Sequence, residues 1–552
     1  MFIKKFAFAN LFTLLFAGSL FAQSADTLLV PAYNPDSTFM DNTIIKYVVA
    51  DTNPSGQQLH SVYKLIRGAW YPLTQAINFK NPIVLIADPP DTGKPAARIL
   101  SDVDSTGATC TGSLINTWAN LTLKDIDLCG IDMGGQNNGW NQGNALFVED
   151  SNVTINMDGV WCEYNGWAAI STTSPHTVWH VNNFHASNEQ NAGDQWTTFL
   201  FYLETAQECD SLFFTNCSYF QSNSCFLFAP PVVNYIYISH CTFVNSYKHP
   251  FLSTQWLNAT FNNNIFYNCG SLGMTAAEAE SQDPNDLPYC LINVDTLLGN
   301  MAASIDTGGT AAPMAENQRS IVVKNNLWYY SAPIQAYWTA HDTVMPNSFM
   351  NSRTRALFAN KTAWPGLDVE NTWNQDPQFN DFPDISVCDT LLAGACRDIR
   401  LGSTHGWFWA PDMATNTYYK LDNTYPTPED FRSYSGLTGT DGKPLGCLTY
   451  YPGVSTAVKG GGQTPSSFAL KQNYPNPFNP STLIGYSVGT KGFVTLKIYN
   501  VLGQEVATLF SGQRPAGTYT ATFNGDKFAS GVYFYRLQSG SNSVTMKMVL
   551  MK

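Results

Sequence analysis

The sequence predicts an all-β protein: a right-handed parallel β-helix followed by a small C-terminal Ig-like β-sandwich. Three observations carry this. Charged residues make up only 13% and aromatics 14%, a balance poor in the residues of helical proteins and favourable to strands. A strand–corner–strand pattern recurs through the middle of the chain. Beyond it, alternating apolar strands separated by Gly turns fill the last stretch.

At 552 residues the chain exceeds a single compact core. Its 44% hydrophobic content excludes wholesale disorder. The formal net charge of −13 repels nucleic acid and anionic membranes, and no Lys/Arg cluster offsets it. Ca²⁺ binding is compatible with that charge but not implied by it.

The N-terminus reads Met-Phe-Ile-Lys-Lys, then an apolar run from Phe6 to Phe21, then Ala22 before Gln23. A basic start, a short apolar stretch and a small residue before the cut make residues 1–22 a secretory signal peptide, with cleavage expected after Ala22. No later segment is long and apolar enough to span a bilayer. Twelve cysteines in an exported chain permit disulfides, and none forms a CxxC zinc pair. Cys388 with Cys396, and Cys110 with Cys129, are close enough in sequence to bridge small loops. The cysteines at 209, 217, 225 and 241 are better explained by the repeat.

Residues 23–110 are assigned to an N-terminal cap and the first coils. Residues 111–453 form the β-helix. Its pattern recurs as Leu121–Leu128, Val153–Trp161, Val178–Phe184, Leu212–Tyr219, Tyr235–Phe243, Ala259–Phe266 and Ile321–Trp328. Aligning the polar corners gives Asp125, Asp158, Asn182, Asn216, His240, Asn263 and Asn325, with steps of 33, 24, 34, 24, 23 and 62 residues. A unit of 23 to 24 residues fits one coil, and longer steps absorb insertions. The largest insertion falls near residues 275–318, where the pattern lapses. Asn suits the corner because its side chain bonds the local backbone and tolerates left-handed dihedrals. Stacking then places Asn above Asn, with amides bonding along the ladder. It also makes Cys217 and Cys241 equivalent and aligns Tyr219, Phe243, Phe266 and Trp328, as interior packing rather than reactive groups.

Three segments give this region a resemblance to secreted β-helix proteins of the pectate-lyase-like type. Residues 62–100 resemble their opening coils. Asn374–Phe379 resembles the Asp-Pro-x-Phe turn that closes such stacks. Asp441–Gly446 followed by Leu448–Pro452 resembles the end of the module. The resemblance covers the fold and not the chemistry.

A flexible linker spans 454–467, rich in Gly and Ser. The segment 468–552 then opens with Phe468–Tyr486, continues through Val494–Val506, Pro515–Tyr519 and Ala529–Leu537, and ends with Met546–Lys552. These motifs, in this order, resemble the type A C-terminal sorting domain of type IX secretion. The resemblance implies a surface or extracellular protein reached through the periplasm. It also implies recognition of the folded domain by outer-membrane machinery, commonly followed by its removal and by surface anchoring. Pro515, Gly517, Tyr519, Gly531, Tyr533, Lys547 and Lys552 match the family elements tied to export.

For the β-helix itself, two functions are expected. A β-helix presents long flat faces, and in secreted bacterial proteins such faces usually meet polysaccharides. The first expectation is a polysaccharide-binding surface protein in which Trp140, Trp161, Tyr164, Trp167 and Trp196 offer platforms for sugar rings. The second is a lyase or glycoside hydrolase, which needs a base beside a neutralised acid or two facing carboxylates. Its candidates are Glu163, His185, Glu204, Asp210, Lys248 and His249, in no recognisable motif. Asp194 and Glu208 lie near the same coil turns. Between Arg67 and Arg319 the only arginine is Arg98, which counts against a typical lyase. His176, His180 and His185 are read as structural or surface histidines, since strand alternation separates them.

Overall fold

Short strands cannot bury an inner face alone, so each coil must pair with the next. The computed structural model describes residues 26–33, 42–88, 96–102, 112–130, 142–189, 199–203, 208–222, 226–228, 232–248, 250–251, 256–275, 290–294, 319–341, 343–344, 348–379, 385–401, 431–450, 468–470, 473, 481–488, 492–514, 517–525, 527–540 and 542–550. Two compact units result, Gln23–Thr456 and a second containing Ala457–Lys552.

In the first unit the coils stack as a parallel β-helix with three strand faces. The first face carries Val62–Leu65, Ile83–Ala87, Leu121–Lys124, Thr154–Asp158, Thr177–Asn182, Glu208–Thr215, Val232–Ser239 and Trp256–Asn262. The second carries Trp70–Leu73, Ala97–Ser101, Ile126–Cys129, Trp161–Glu163, His185–Glu189, Ser218–Ser222, Thr242–Ser246 and Ile265–Cys269. Ser320–Tyr329 and Leu367–Asn374 each run through both faces. The third face carries Ile77–Phe79, Gly112–Thr117, Gln142–Val148, Ala168–Thr172, Phe199–Tyr202 and Leu227–Phe228. Interior ladders run across the coils, such as Leu123, Met157, Val181, Phe214, Ile238 and Phe261 on the first face. The aligned aromatics Tyr219, Phe243, Phe266 and Trp328 stack as expected, with Phe243 and Phe266 parallel at 4.9 Å.

The corner between the first two faces is the left-handed residue of each coil. It falls at Asp125, Gly159, Asn183, Asn216, His240, Asn263, Asn325 and Asn371. Two of the aligned positions therefore move by one: Gly159 and Asn183 turn the chain, and Asp158 and Asn182 end the preceding strands. Asn-on-Asn bonding occurs between Asn371 and Asn325, at 2.9 Å. Elsewhere a strap, residues 438–449, which turns back on itself at Thr438–Pro444 and enters a 3-10 turn at Leu448, takes the corner amides instead. Asn216 Oδ1 accepts the backbone N–H of Leu448 and, at 3.1 Å, of Thr449, while its Nδ2 donates to Thr449 Oγ1 at 2.9 Å. Thr440 N donates to Asn263 Oδ1 at 2.8 Å, and Gly446 N to Asn263 O at 2.8 Å. Only glycine fits at 446, where φ is +77° and an added Cβ would meet Thr242 Oγ1 at 2.5 Å. The segment that resembles a module end thus closes the helix along its side.

Among the described residues, three α-helices interrupt the β pattern: α1 (Ala332–Ala340), α2 (Ser352–Ala359) and α3 (Ile385–Arg400). The expected Cys388–Cys396 bridge is not formed. Both thiols lie on α3, eight residues apart, so their backbones are ~12 Å apart and beyond disulfide reach, and Cys396 is a free thiol. Cys110 and Cys225 lie outside the described residues. With Phe379, Phe431 and Leu445, Cys388 of α3 covers the outer face of the second sheet at Phe220, Val244, Ile265 and Leu327. Asp389 of α3 accepts from Tyr267 Oη at 2.6 Å and Asn268 Nδ2 at 2.9 Å.

The second unit is a pair of antiparallel sheets. One contains Ala469–Leu470, Ser481–Val488 and Gly517–Asn524; the other contains Glu505–Arg514, Gly492–Tyr499, Gly531–Ser539 and Asn542–Leu550. Ile484, Tyr486, Leu496, Ile498, Tyr535, Leu537 and Met548 fill the core between them.

The strap makes Asn216 the most consequential corner. Asn216→Ala strands the buried N–H groups of Leu448 and Thr449 and strains a left-handed corner. It is expected to cost about 2–4 kcal/mol in denaturant unfolding of the full chain and to expose the strap to proteolysis. An unchanged midpoint would contradict the strap's role.

Candidate functional site

With the corners corrected, the second residue after each corner forms one outward row on the second face: Arg98, Asp127, Trp161, His185, Ser218, Thr242 and Ile265. The row changes from charged to apolar along the axis. Its charged end is buried. Arg98 Nε lies 2.5 Å from Asp127 Oδ2, and its guanidinium lies 3.7 Å from Glu163 Oε2 on the neighbouring row. Ser187 Oγ donates to Glu163 Oε1 at 3.4 Å. Beside them the Trp161 and His185 rings lie 4.5 Å apart, and His185 meets Ser218 Oγ at 2.7 Å and Asn183 Oδ1 at 3.1 Å.

Burial governs the protonation of this cluster. It raises the Glu163 carboxyl to about 8, with Asp127 adding to the rise and Arg98 opposing it. Asp127 is also raised by burial, against the pull of Arg98. His185 is lowered to about 3 by burial alone, so its ring is neutral. At neutral pH Glu163 is therefore held mainly protonated, beside the Arg98–Asp127 pair. The cluster brings two carboxyl groups and one guanidinium together. With Glu163 only 3% exposed and Asp127 only 5%, it is closed to any polymer in this conformation.

The third face carries one exposed aromatic beside a buried polar line. Its outward rows are Ser113, Asn144, Ala168 and Phe199, and Asn116, Phe147, Ser171 and Tyr202. Trp167 leads into this face and is 38% exposed. Its ring is held edge-on by Tyr202 at 5.4 Å and Phe199 at 6.3 Å. Next to it runs a hydrogen-bonded polar line: Asn144 Nδ2 donates to Ser113 Oγ at 3.1 Å, and Ser171 Oγ donates to Asn144 Oδ1 at 2.9 Å. Apart from it, at the exposed edge, Asn116 Nδ2 donates to Asn78 Oδ1 at 3.0 Å. None of these residues carries a charge.

The structure sorts the sequence candidates as follows. Glu163, His185 and Trp161 come together, joined by Arg98, Asp127 and Ser187, which sequence reasoning missed. Tyr164 is a buried left-handed bend. Trp167 is the exposed aromatic of the third face. Lys248 is half-buried beyond the end of Thr242–Ser246, three coils from Glu163 and so ~14 Å along the axis. Asp210 lies in the strand Glu208–Thr215. Glu204, His249, Trp140, Trp196 and Asp194 lie outside the described residues. His180 faces outward on the first sheet, stacked on Phe213 at 4.8 Å, and so shares no face with His185. Among the described residues, no group of three or more His, Cys, Asp or Glu side chains is placed to hold a metal ion.

The antiparallel C-terminal unit decides what the chain is part of. Residues 472–551 match the family of secretion system C-terminal sorting domains. The chain is an exported protein of the type IX route, at the cell surface or secreted. No curated protein matches it. No helix among the described residues is long and apolar enough to cross a membrane. Within the sorting domain, Gly517 opens a strand that pairs with Val488, and Tyr519 lies opposite Tyr486. Gly531 opens the strand opposite Leu550, Tyr533 Oη donates to Ala529 O at 2.8 Å, and Lys547 is exposed opposite Phe534. Pro515 and Lys552 lie outside the described residues.

Glu163 titrates near 4.5 when unfolded and about 8 when folded. Its contribution to stability is therefore complete below pH 4.5 and is lost as pH rises through 8. Glu163→Gln keeps the shape and removes the titration. Between pH 5 and 9 the native chain should lose up to ~4 kcal/mol more than Glu163→Gln in denaturant titrations. Equal losses would show that the trio titrates otherwise.

Proposed function

We propose that this exported β-helix binds extracellular polysaccharide across the outer side of its third face, with Trp167 as the platform for a sugar ring. The carrying observation is the exposed indole of Trp167, braced edge-on by Phe199 and Tyr202. An aromatic plane supplies apolar contact for a ring face, and the exposed Asn116–Asn78 pair of the same face offers amides to sugar hydroxyls. Bracing matters because a platform that is already ordered loses little freedom when it binds. The leader at residues 1–22 begins export in this account, and the sorting domain completes it.

A second reading is glycoside hydrolysis by Glu163 as acid and Asp127 as base. It is favoured by the raised Glu163 carboxyl and by a diagonal placement on adjacent strands. It requires the buried trio to open.

Affinity electrophoresis of the full chain against a glycan panel separates the readings. Binding predicts retardation without product, lost by at least about tenfold in Trp167→Ala and kept in Glu163→Gln. Hydrolysis predicts new reducing ends that vanish in Glu163→Gln. Retardation unchanged in Trp167→Ala would move binding away from the third face.

A further inference from the structure

The sorting domain displays an apolar point that its own core does not use. The turn between Gly492–Tyr499 and Glu505–Arg514 reads Asn500-Val-Leu-Gly-Gln504. Asn500 braces it from inside. Its Oδ1 accepts from Leu502 N and Gln504 N, both at 3.0 Å, and its Nδ2 donates to Gln504 Oε1 at 2.9 Å. The backbone adds Asn500 N to Gln504 O and Gly503 N to Asn500 O, each at 3.0 Å. Gly503 supplies the left-handed bend, with φ +78°.

On this braced turn Val501 is 66% and Leu502 78% exposed, the largest exposures among the described large hydrophobics of the domain. Hairpin tips ordinarily carry polar or small residues. Two adjacent branched apolar side chains held rigidly in water are the wrong choice for solubility and a good choice for an anchor. The base of the turn is electrically quiet: Lys497 pairs with Glu505 at 2.8 Å, and Arg536 lies over the Tyr499 ring at 5.0 Å. An apolar point inside a neutralised polar rim is the anatomy of an interface centre.

We propose that Val501 and Leu502 are the point at which the folded sorting domain inserts into an apolar pocket on a protein of the export machinery. The domain matches a secretion-system sorting family, so a protein of that machinery must engage it. A tip fixed by its own hydrogen bonds enters a pocket with little ordering cost. The partner is a protein rather than a lipid surface, because the turn brings no unpaired cation to anionic headgroups and two side chains are too small an anchor for a bilayer.

The test uses the full chain produced in cells that carry the machinery. A double variant, Val501→Ser with Leu502→Ser, should fold with an unchanged melting temperature yet reach the surface or medium about tenfold less, accumulating uncleaved in the periplasm. Phe493→Ser, which removes another exposed hydrophobic at the far end of the same strand, should be exported normally. Normal export of the double variant would overturn the proposal. So would equal loss in Phe493→Ser, or a lowered melting temperature that accounts for the loss. A purified native chain that sediments as a dimer, dissolved by the double variant, would assign the tip to self-association and overturn it as well.

Discussion

The rest of the β-helix depends on one constraint, the left-handed residue that turns each coil from its first face to its second. L-residues other than Asn, Asp and Gly resist that conformation, so the corner selects them and fixes where each coil begins. His240 is the exception, and it is held between Asn263 and Asp441 of the strap. Once the corner is fixed, the strand period of two decides which side chains face inward and which face out. A slip of one residue would exchange the two sets. The strap, through Asn216 and Asn263, bonds the side chains that define this register and so holds several coils to one alignment.

From that register follow both candidate sites. The same outward row carries Arg98, Asp127, Trp161 and His185 at one end and is apolar under α3 and the strap at the other. The two ends are covered for different reasons. Apolar cover over Phe220, Val244 and Ile265 stabilises by removing surface from water. Burying Arg98, Asp127 and Glu163 is costly unless the charges compensate, and keeping Glu163 protonated removes one charge from that cost. The third face differs from both. It buries a line of amides and hydroxyls bonded to each other and leaves Trp167 exposed at its edge, the feature on which the proposed binding rests.

Much of this was legible in the sequence. The repeat unit, the aromatic ladder from Tyr219 to Trp328 and the equivalence of Cys217 and Cys241 follow directly from aligned corners. The charged trio did not emerge, because taking Asp158 and Asn182 as corners set Val160 and Phe184 beside Asp127 and hid the row. Glycine at 159 was the missed signal, since its freedom marks the turn better than the aspartate before it. Helix α3 was legible too: Cys388, Leu392, Cys396 and Ile399 recur at helical spacing. Reading the two cysteines as a loop bridge obscured that stripe. The strap's path across the corners was not legible, because its bonds join residues more than 170 positions apart.

The central claim is that the working surface of this exported protein is the third face. Oxidative footprinting of tryptophan, read by peptide mass spectrometry with and without a retained glycan, tests it most directly. Protection of Trp167, with Trp161 and Trp179 unaffected, is the result this account predicts. Oxidation of Trp167 at the same rate in bound and free protein would contradict it.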